Sequence, residues 1–366
     1  MPTPSTTAIP IKKSRLPKWF PRRGVPLADM VFFFDNLRVM IHAGLSYNQA
    51  FHTLVTQTTN RRWKAILEDI ALRVERGETL AVAMERFPAF TPLMTNMMRI
   101  GEISGTLDGA LTALVNQMKK DLTLRAKIRG ALMYPCVILS ATGVISVGMM
   151  IFVVPKILEI FKDIKTPLPL PTRILLAVSG LVTEHGLVVG IALVATMIAL
   201  HFFIKTPFGK RLMHTLFLRA WILGPIVRKI NLARMTRTLS TLLRTGIPIQ
   251  DALTNTGRVL SNVHFQEALF ATTTAVNRGA SIGDALAQHP HLFPSIVTQM
   301  AAVGEQAGQL DEMLGELAVY YESQVDDTLS NMTQIIEPVL VLTLGVAVGG
   351  IAVAIISPIY ALSESF

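Results

Sequence analysis

The 366-residue sequence predicts an all-α membrane protein: two duplicated helical-bundle domains plus three transmembrane helices. Three observations carry that prediction. First, the chain is 51% hydrophobic and 16% charged, more apolar than a soluble fold of this size carries. Second, three runs hold no Asp, Glu, Lys or Arg: Cys136 to Val154, Gly186 to Ile204 and Val339 to Ile356. Each is long enough to cross a bilayer as a helix. Third, the stretch Gly101-Glu102-Ile103-Ser104-Gly105-Thr106-Leu107-Asp108 returns as Gly304-Glu305-Gln306-Ala307-Gly308-Gln309-Leu310-Asp311. Gly101, Glu102, Gly105, Leu107, Asp108 and Pro135 recur as Gly304, Glu305, Gly308, Leu310, Asp311 and Pro338 at one constant offset of 203. Agreement at six positions in register marks an internal duplication.

Taken in order, residues 1–27 form a basic tail expected to be flexible. Lys12, Lys13, Arg15, Lys18, Arg22 and Arg23 surround Trp19 and Phe20, so a tail resting on anionic lipid or on a cytoplasmic partner is the alternative. It is not a signal peptide, because Asp35, Asn36 and Arg38 interrupt the apolar patch that starts at Val31. Residues 28–130 form the first bundle. Tyr47, Ala50, Phe51, Leu54 and Val55 fall at helical spacing, as do Trp63, Ile66, Leu67, Ile70, Ala71 and Val74. Gly44 and Ser46 give a helix stop and the next N-cap; Gly77 and Thr79 do the same again. Pro88 and Pro92 bracket a break. Short turns between such helices imply antiparallel packing.

The first span is 131–154. Few helix breakers separate Leu107 from it, so the last bundle helix is expected to enter the membrane as one rod of about 70 Å. A link, 155–185, follows, with Pro167, Pro169 and Pro171 and an amphipathic segment from Ile174 to Thr183. The second span is 186–204. Residues 205–334 repeat the bundle: Gly246 stands for Gly44, Gly279 for Gly77, Pro290 for Pro88 and Pro294 for Pro92. These carry an offset of 202, which places one extra residue between Pro294 and Gly304. Leu310, Met313, Leu314, Leu317, Ala318 and Tyr321 form the buried stripe of the last bundle helix. The third span is 335–357, followed by a short tail, 358–366.

Charge sets the topology. Up to Arg129 there are 19 Lys/Arg against 10 Asp/Glu, an excess of 9. Lys119, Lys120, Arg125, Lys127, Arg129, Lys205, Lys210, Arg211 and Arg219 flank the spans on the bundle side, against Lys156, Lys162, Lys165 and Arg173 on the other. The positive-inside rule puts both bundles in the cytoplasm, and two repeats of one orientation need the middle span as a return crossing. Membrane orientation accounts for the basic first half without nucleic acid.

Catalytic chemistry finds no footing. There is no phosphate loop, no His-Glu-x-x-His, and Cys136 is the only cysteine, so neither a disulfide nor a thiol metal site forms within the chain. No cofactor, metal or catalytic residue is expected. His289-Pro290-His291 occupies the turn that holds Phe87-Pro88-Ala89 in the first repeat. Gly186-x-x-x-Gly190 and Gly345-x-x-x-Gly349 are small-residue helix contacts. In the Gly-Glu turns, Glu102 and Glu305 are expected to cap the following helix; a partner or cation site using Glu102 with Asp108, or Glu305 with Asp311, is the alternative reading. Pro135 and Pro338 mark bends that are either architectural or hinges.

Duplicated bundles, each running Gly-Glu-x-x-Gly-x-Leu-Asp through a long helix to a proline-initiated span, resemble the type II secretion F family, the PilC/GspF-type platforms of the bacterial inner membrane. The resemblance covers Val31 to Tyr360. It implies a non-enzymatic platform for type IV pilus biogenesis or type II secretion. It further implies a cytoplasmic hexameric assembly ATPase, pilins or pseudopilins and other inner-membrane assembly components as partners, a homo-oligomeric state, and a periplasmic location for the link and the C-terminal tail. The short basic leader suggests a thin conjugative or bundle-forming pilus. A membrane transporter or channel subunit is the competing class, but such a pathway needs polar groups within the spans.

Overall fold

The computed structural model describes residues 25–156, 170–221 and 223–363. Every regular element among them is a helix. The first repeat comprises α1 (Leu27–His42), α2 (Tyr47–Gln57), α3 (Arg61–Glu75), α4 (Leu80–Glu85), α5 (Pro92–Ser104) and α6 (Leu107–Gly148). After α6 come a π-helical segment, Met149–Val153, then α7 (Leu170–Glu184), α8 (Gly186–Lys205) and α9 (Pro207–Arg219). The second repeat comprises α10 (Leu223–Arg244), α11 (Ile249–Val259), α12 (Val263–Asn277), α13 (Ile282–Ala287), α14 (Ser295–Ala307) and α15 (Leu310–Ser363).

The duplication is visible in the backbone itself. Positive-φ residues among those described are all glycines and fall in three pairs: Gly44 with Gly246, Gly77 with Gly279, and Gly105 with Gly308. The caps match too. Asn60 and Asn262 accept from the first-turn amides of α3 and α12, and Thr79 and Ser281 from those of α4 and α13. One detail differs from the sequence expectation. Pro92 is the first residue of α5, whereas Pro294 is the N-cap of α14, and both helices have 13 residues. The extra residue therefore sits ahead of the helix, where a loop absorbs it, and not between Pro294 and Gly304.

Both repeats share one apolar core. In the first, Phe33, Phe34, Phe51, Trp63 and Phe90 form an aromatic cluster with ring centroids 5.2 to 6.1 Å apart, mostly edge to face. In the second, Phe265 and Phe293 meet edge to face at 5.6 Å, and Met235, Leu239, Leu269 and Val297 pack in the same core. The predicted stripe on α15 is buried at Leu314, Leu317, Ala318 and Tyr321, and continues through Val325, Leu329 and Met332.

The helical rod from Leu107 to Lys156 is 50 residues, about 75 Å, and α15 is 54 residues, about 81 Å. The distal part of each is apolar and exposed, as is α8, so three helices are long and apolar enough to span a membrane. The helix runs on through Pro135 and through Pro338 without interruption, and α15 continues past the boundary expected at 357 to Ser363. The described C-terminal part of the link, from Leu170, is helical. α7 packs against the π-helical segment and α15, and buried Ser179 Oγ donates to the Met150 carbonyl at 2.8 Å. A π-turn leaves carbonyls off the regular ladder, and the serine satisfies one of them. Among the described residues no neighbouring element lies within 4 Å of where a Cβ on Gly186, Gly190, Gly345 or Gly349 would sit, so the expected close helix contacts are not made there. Trp19 and Phe20, Pro167 and Pro169 lie outside the described residues.

Candidate functional site

The recurring eight-residue motif forms the turn between α5 and α6, and between α14 and α15. Its two glycines do different work. A Cβ on Gly101 would lie 2.7 Å from the Ala110 Cβ and 3.1 Å from the Leu107 Cα; on Gly304 it would lie 3.0 Å from both the Leu310 Cα and the Met313 Cγ. The first glycine thus lets two helices touch backbone to backbone. The second, Gly105 or Gly308, takes φ 68° as a left-handed helix cap, a conformation costly to any other residue. Leu107 is buried at the start of α6, and Leu310 packs against the core at the start of α15.

Glu102 does not cap the helix that follows it. Its two carboxylate oxygens accept from the amides of Leu80 at 2.5 Å and Ala81 at 2.9 Å, the first turn of α4. The Thr79 hydroxyl takes the third free amide, of Val82. The second repeat does the same: Glu305 accepts from Ile282 at 2.7 Å and Ser281 from Asp284 at 3.1 Å. A carboxylate at a helix N-terminus gains both hydrogen bonds and the helix dipole. The local rule is right; the target lies some 22 residues upstream, because α4 folds back against α5.

The motif aspartate ties in a fourth helix. Asp108, in the first turn of α6, lies 3.2 Å from His42 Nδ1 in the last turn of α1. Asp311 lies 3.6 Å from Arg244 Nε at the end of α10, and the Asp311 carbonyl accepts from Ser240 Oγ at 2.7 Å. Glu102 and Asp108 therefore engage different helices and do not converge, and neither do Glu305 and Asp311. Among the described residues no group of three or more His, Cys, Asp or Glu is placed to hold a metal. His289 lies in a turn, its ring against Phe293.

Above these turns lies a polar seam that sequence reasoning missed. α6 of the first repeat meets α10 and α15 of the second. Buried Gln117 Nε2 donates to Thr238 Oγ1 at 3.1 Å. Arg234 pairs with Asp121 at 2.6 Å, Lys120 with Glu322 at 3.1 Å and Lys127 with Asp326 at 2.6 Å, all between repeats. Gln117, Lys120, Asp121, Arg234, Glu322 and Asp326 line a half-open pocket of about 110 Å³. Arg237 bonds Glu322 from within the second repeat at 2.8 Å. Burial pushes the Glu322 carboxyl up, but Arg237 and Lys120 outweigh it and hold it below the ordinary glutamate range. A signal was present: Gln117, Asp121, Leu124 and Lys127 share one face of α6, as Arg234, Arg237, Thr238 and Thr241 share one face of α10.

The seam also breaks the symmetry of the duplication. Asp35 in α1 pairs with Lys119 in α6 at 2.7 Å, and that hydrogen bond holds its carboxyl below the ordinary aspartate range. The equivalent positions of the second repeat are Arg237 and Glu322, the same pair with its polarity reversed. The reversal puts an acid on α15 where Lys120 of the first repeat reaches it.

The geometry agrees with the comparisons. The family model described as "Type II secretion system (T2SS), protein F" matches the chain twice, at residues 33–155 and 235–358. The chain is 37% identical over 338 residues to the type IV pilus assembly protein PilC of Thermus thermophilus, covering 92% of this chain and 83% of the relative. It is 34% identical over 342 residues to PilC of Myxococcus xanthus, covering 93% and 82%. It is 29% identical over 343 residues to type II secretion system protein F of Pseudomonas aeruginosa, covering 93% and 84%. None of these names speaks of the conjugative pilus that the short leader suggested. The two matched segments are the two structural repeats, and the chain belongs to the type II secretion system protein F family.

Proposed function

We propose that this protein is the inner-membrane platform of a type IV pilus or type II secretion machine. Its two bundles face the cytoplasm and engage a hexameric assembly ATPase. Its membrane helices act with pilins or pseudopilins and other inner-membrane components, and the protein works as a homo-oligomer without enzymatic activity of its own. The names and coverage of its relatives support the class, and the basic flanks of the spans support the orientation.

One observation carries the mechanical part. Two rods of about 75 and 81 Å leave the Gly-Glu turns, are bolted together by the seam, and continue as unbroken helices into the apolar region. A displacement imposed on either bundle is thereby passed to both membrane helices. Pro135 and Pro338, each removing one i→i−4 hydrogen bond, are the places where such a rod bends most easily. The transporter reading gains nothing from the spans, whose central residues carry no Asp, Glu, Lys or Arg.

Deletion of the gene in its host, with complementation, tests the assignment. Loss of surface fibres or of a secreted protein set is expected, with recovery from the wild-type copy, and purification from membranes is expected to bring down an assembly ATPase and pilin-like subunits. A deletion strain that keeps both fibres and secretion, or solute flux through the purified protein in vesicles, contradicts it.

A further inference from the structure

α8 and α9 meet at a built corner. Thr206 breaks the helix with extended backbone and accepts from the Gly209 amide at 3.0 Å. A Cβ on Gly209 would overlap the Phe203 carbonyl oxygen, so the turn is tight enough to demand glycine. The Phe203 and Phe208 rings meet edge to face across it at 6.3 Å. At the far end of α9 a Cβ on Gly224 would overlap the Leu218 carbonyl oxygen, a second tight corner.

Between these corners α9 has two unlike faces. One is fastened to the second bundle: Arg211 to Glu267 at 3.2 Å, Thr215 to His264 at 2.8 Å, and His214 Nδ1 accepting from the Val263 amide at 3.0 Å. The other carries Phe208, Leu212 and Leu216 at i, i+4 and i+8, respectively 72%, 49% and 58% exposed, and Trp221 follows at 91%. Lys205 precedes this stripe and Arg219 closes it, Lys205 standing over the Phe202 ring at 5.8 Å, and no Asp or Glu occurs between His185 and Gln250. An apolar stripe edged by bases, with a terminal tryptophan, is the chemistry of a helix lying in a membrane surface. It is also continuous with a spanning helix that ends one residue earlier.

We propose that α9 is an interfacial helix. Its Phe208–Leu212–Leu216 stripe and Trp221 rest among the acyl chains just below anionic phospholipid headgroups, with Lys205 and Arg219 on the phosphates. The second bundle is thus held at a fixed height on the membrane. The proposal rests on the membrane reading of α8.

The test is nitroxide labelling on a Cys136→Ser background, in vesicles of phosphatidylcholine with phosphatidylglycerol. Labels at Leu212→Cys and Leu216→Cys are compared with Val194→Cys in α8 and Val319→Cys on the bundle side of α15. Collision rates with oxygen and with a water-soluble nickel chelate give depth. The expected result is a depth of about 5–10 Å at both α9 sites, between the deep Val194 label and the aqueous Val319 label. Lys205→Gln with Arg219→Gln is expected to make both sites shallower. α9 labels as wet as Val319, or shielded from both reagents by protein, overturn the proposal while Val194 stays deep. A wet Val194 label overturns the membrane reading as well.

Discussion

The reversed ion pairs allow the inter-repeat contact to be isolated. Exchanging the second repeat's pair, Arg237→Asp with Glu322→Lys, recreates there the arrangement the first repeat already uses. The internal pair survives, but Lys120 loses its acceptor and faces a lysine. Lys120 is largely exposed, so its pair with Glu322 contributes about 0.5–1 kcal/mol, and a like charge in that place costs a similar amount. The sum is about 1–2 kcal/mol. At roughly 2–4 °C per kcal/mol for a body of this size, the thermal midpoint falls by about 2–8 °C. The mirror exchange, Asp35→Arg with Lys119→Glu, sets the introduced glutamate between the introduced arginine and Arg38 and touches no seam contact, so a shift within about 1–2 °C is expected. Unfolding followed in detergent at low ionic strength measures both, and the difference shrinks with added salt. Equal losses from the two exchanges, or none from the first, refute the assignment of Lys120–Glu322 as a contact between repeats.

Three further outcomes follow from the site. Gly101→Ala drives a methyl against Ala110 and is expected to cost about 1–3 kcal/mol, whereas Gly105→Ala meets open space and costs about 1 kcal/mol through its backbone conformation alone; denaturant midpoints separate the two. Glu102→Ala bares two amides at the start of α4 and is expected to lose about 1–2 kcal/mol, with Glu102→Gln intermediate because one oxygen still accepts; hydrogen exchange at Leu80 and Ala81 should rise before that of α6. Asp35 and Glu322 both have lowered carboxyl pKa values in the folded state, so their contribution is complete above about pH 5 and disappears as pH falls through those folded values. Glu322→Gln is expected to flatten that acid limb, and an unchanged limb would show that other groups set it.

What was legible in the sequence was what physics keeps local. Gly44, Ser46, Gly77 and Thr79 announce helix ends because capping involves residues within one turn, and the structure places each as expected. The duplication was legible because it repeats those local signals, and the spans because lipid forbids charge. The target of Glu102 was not, since it depends on α4 returning against α5. The seam was hidden for the same reason: Asp121 and Arg234 lie 113 residues apart, and only the packing of one repeat on the other joins them. Ser179 on Met150, and the corner at Gly209, likewise need partners that no helical period reveals.

The account depends on the two repeats lying on one side of the membrane. On a Cys136→Ser background, Val82→Cys in α4 and Val303→Cys in α14 place one exposed thiol on each bundle. An impermeant maleimide applied to intact spheroplasts, then to permeabilised ones, reads their sides. Both thiols should stay unlabelled until the membrane is opened and then react together; labelling of either one from outside contradicts the shared orientation and the transmission of motion built on it.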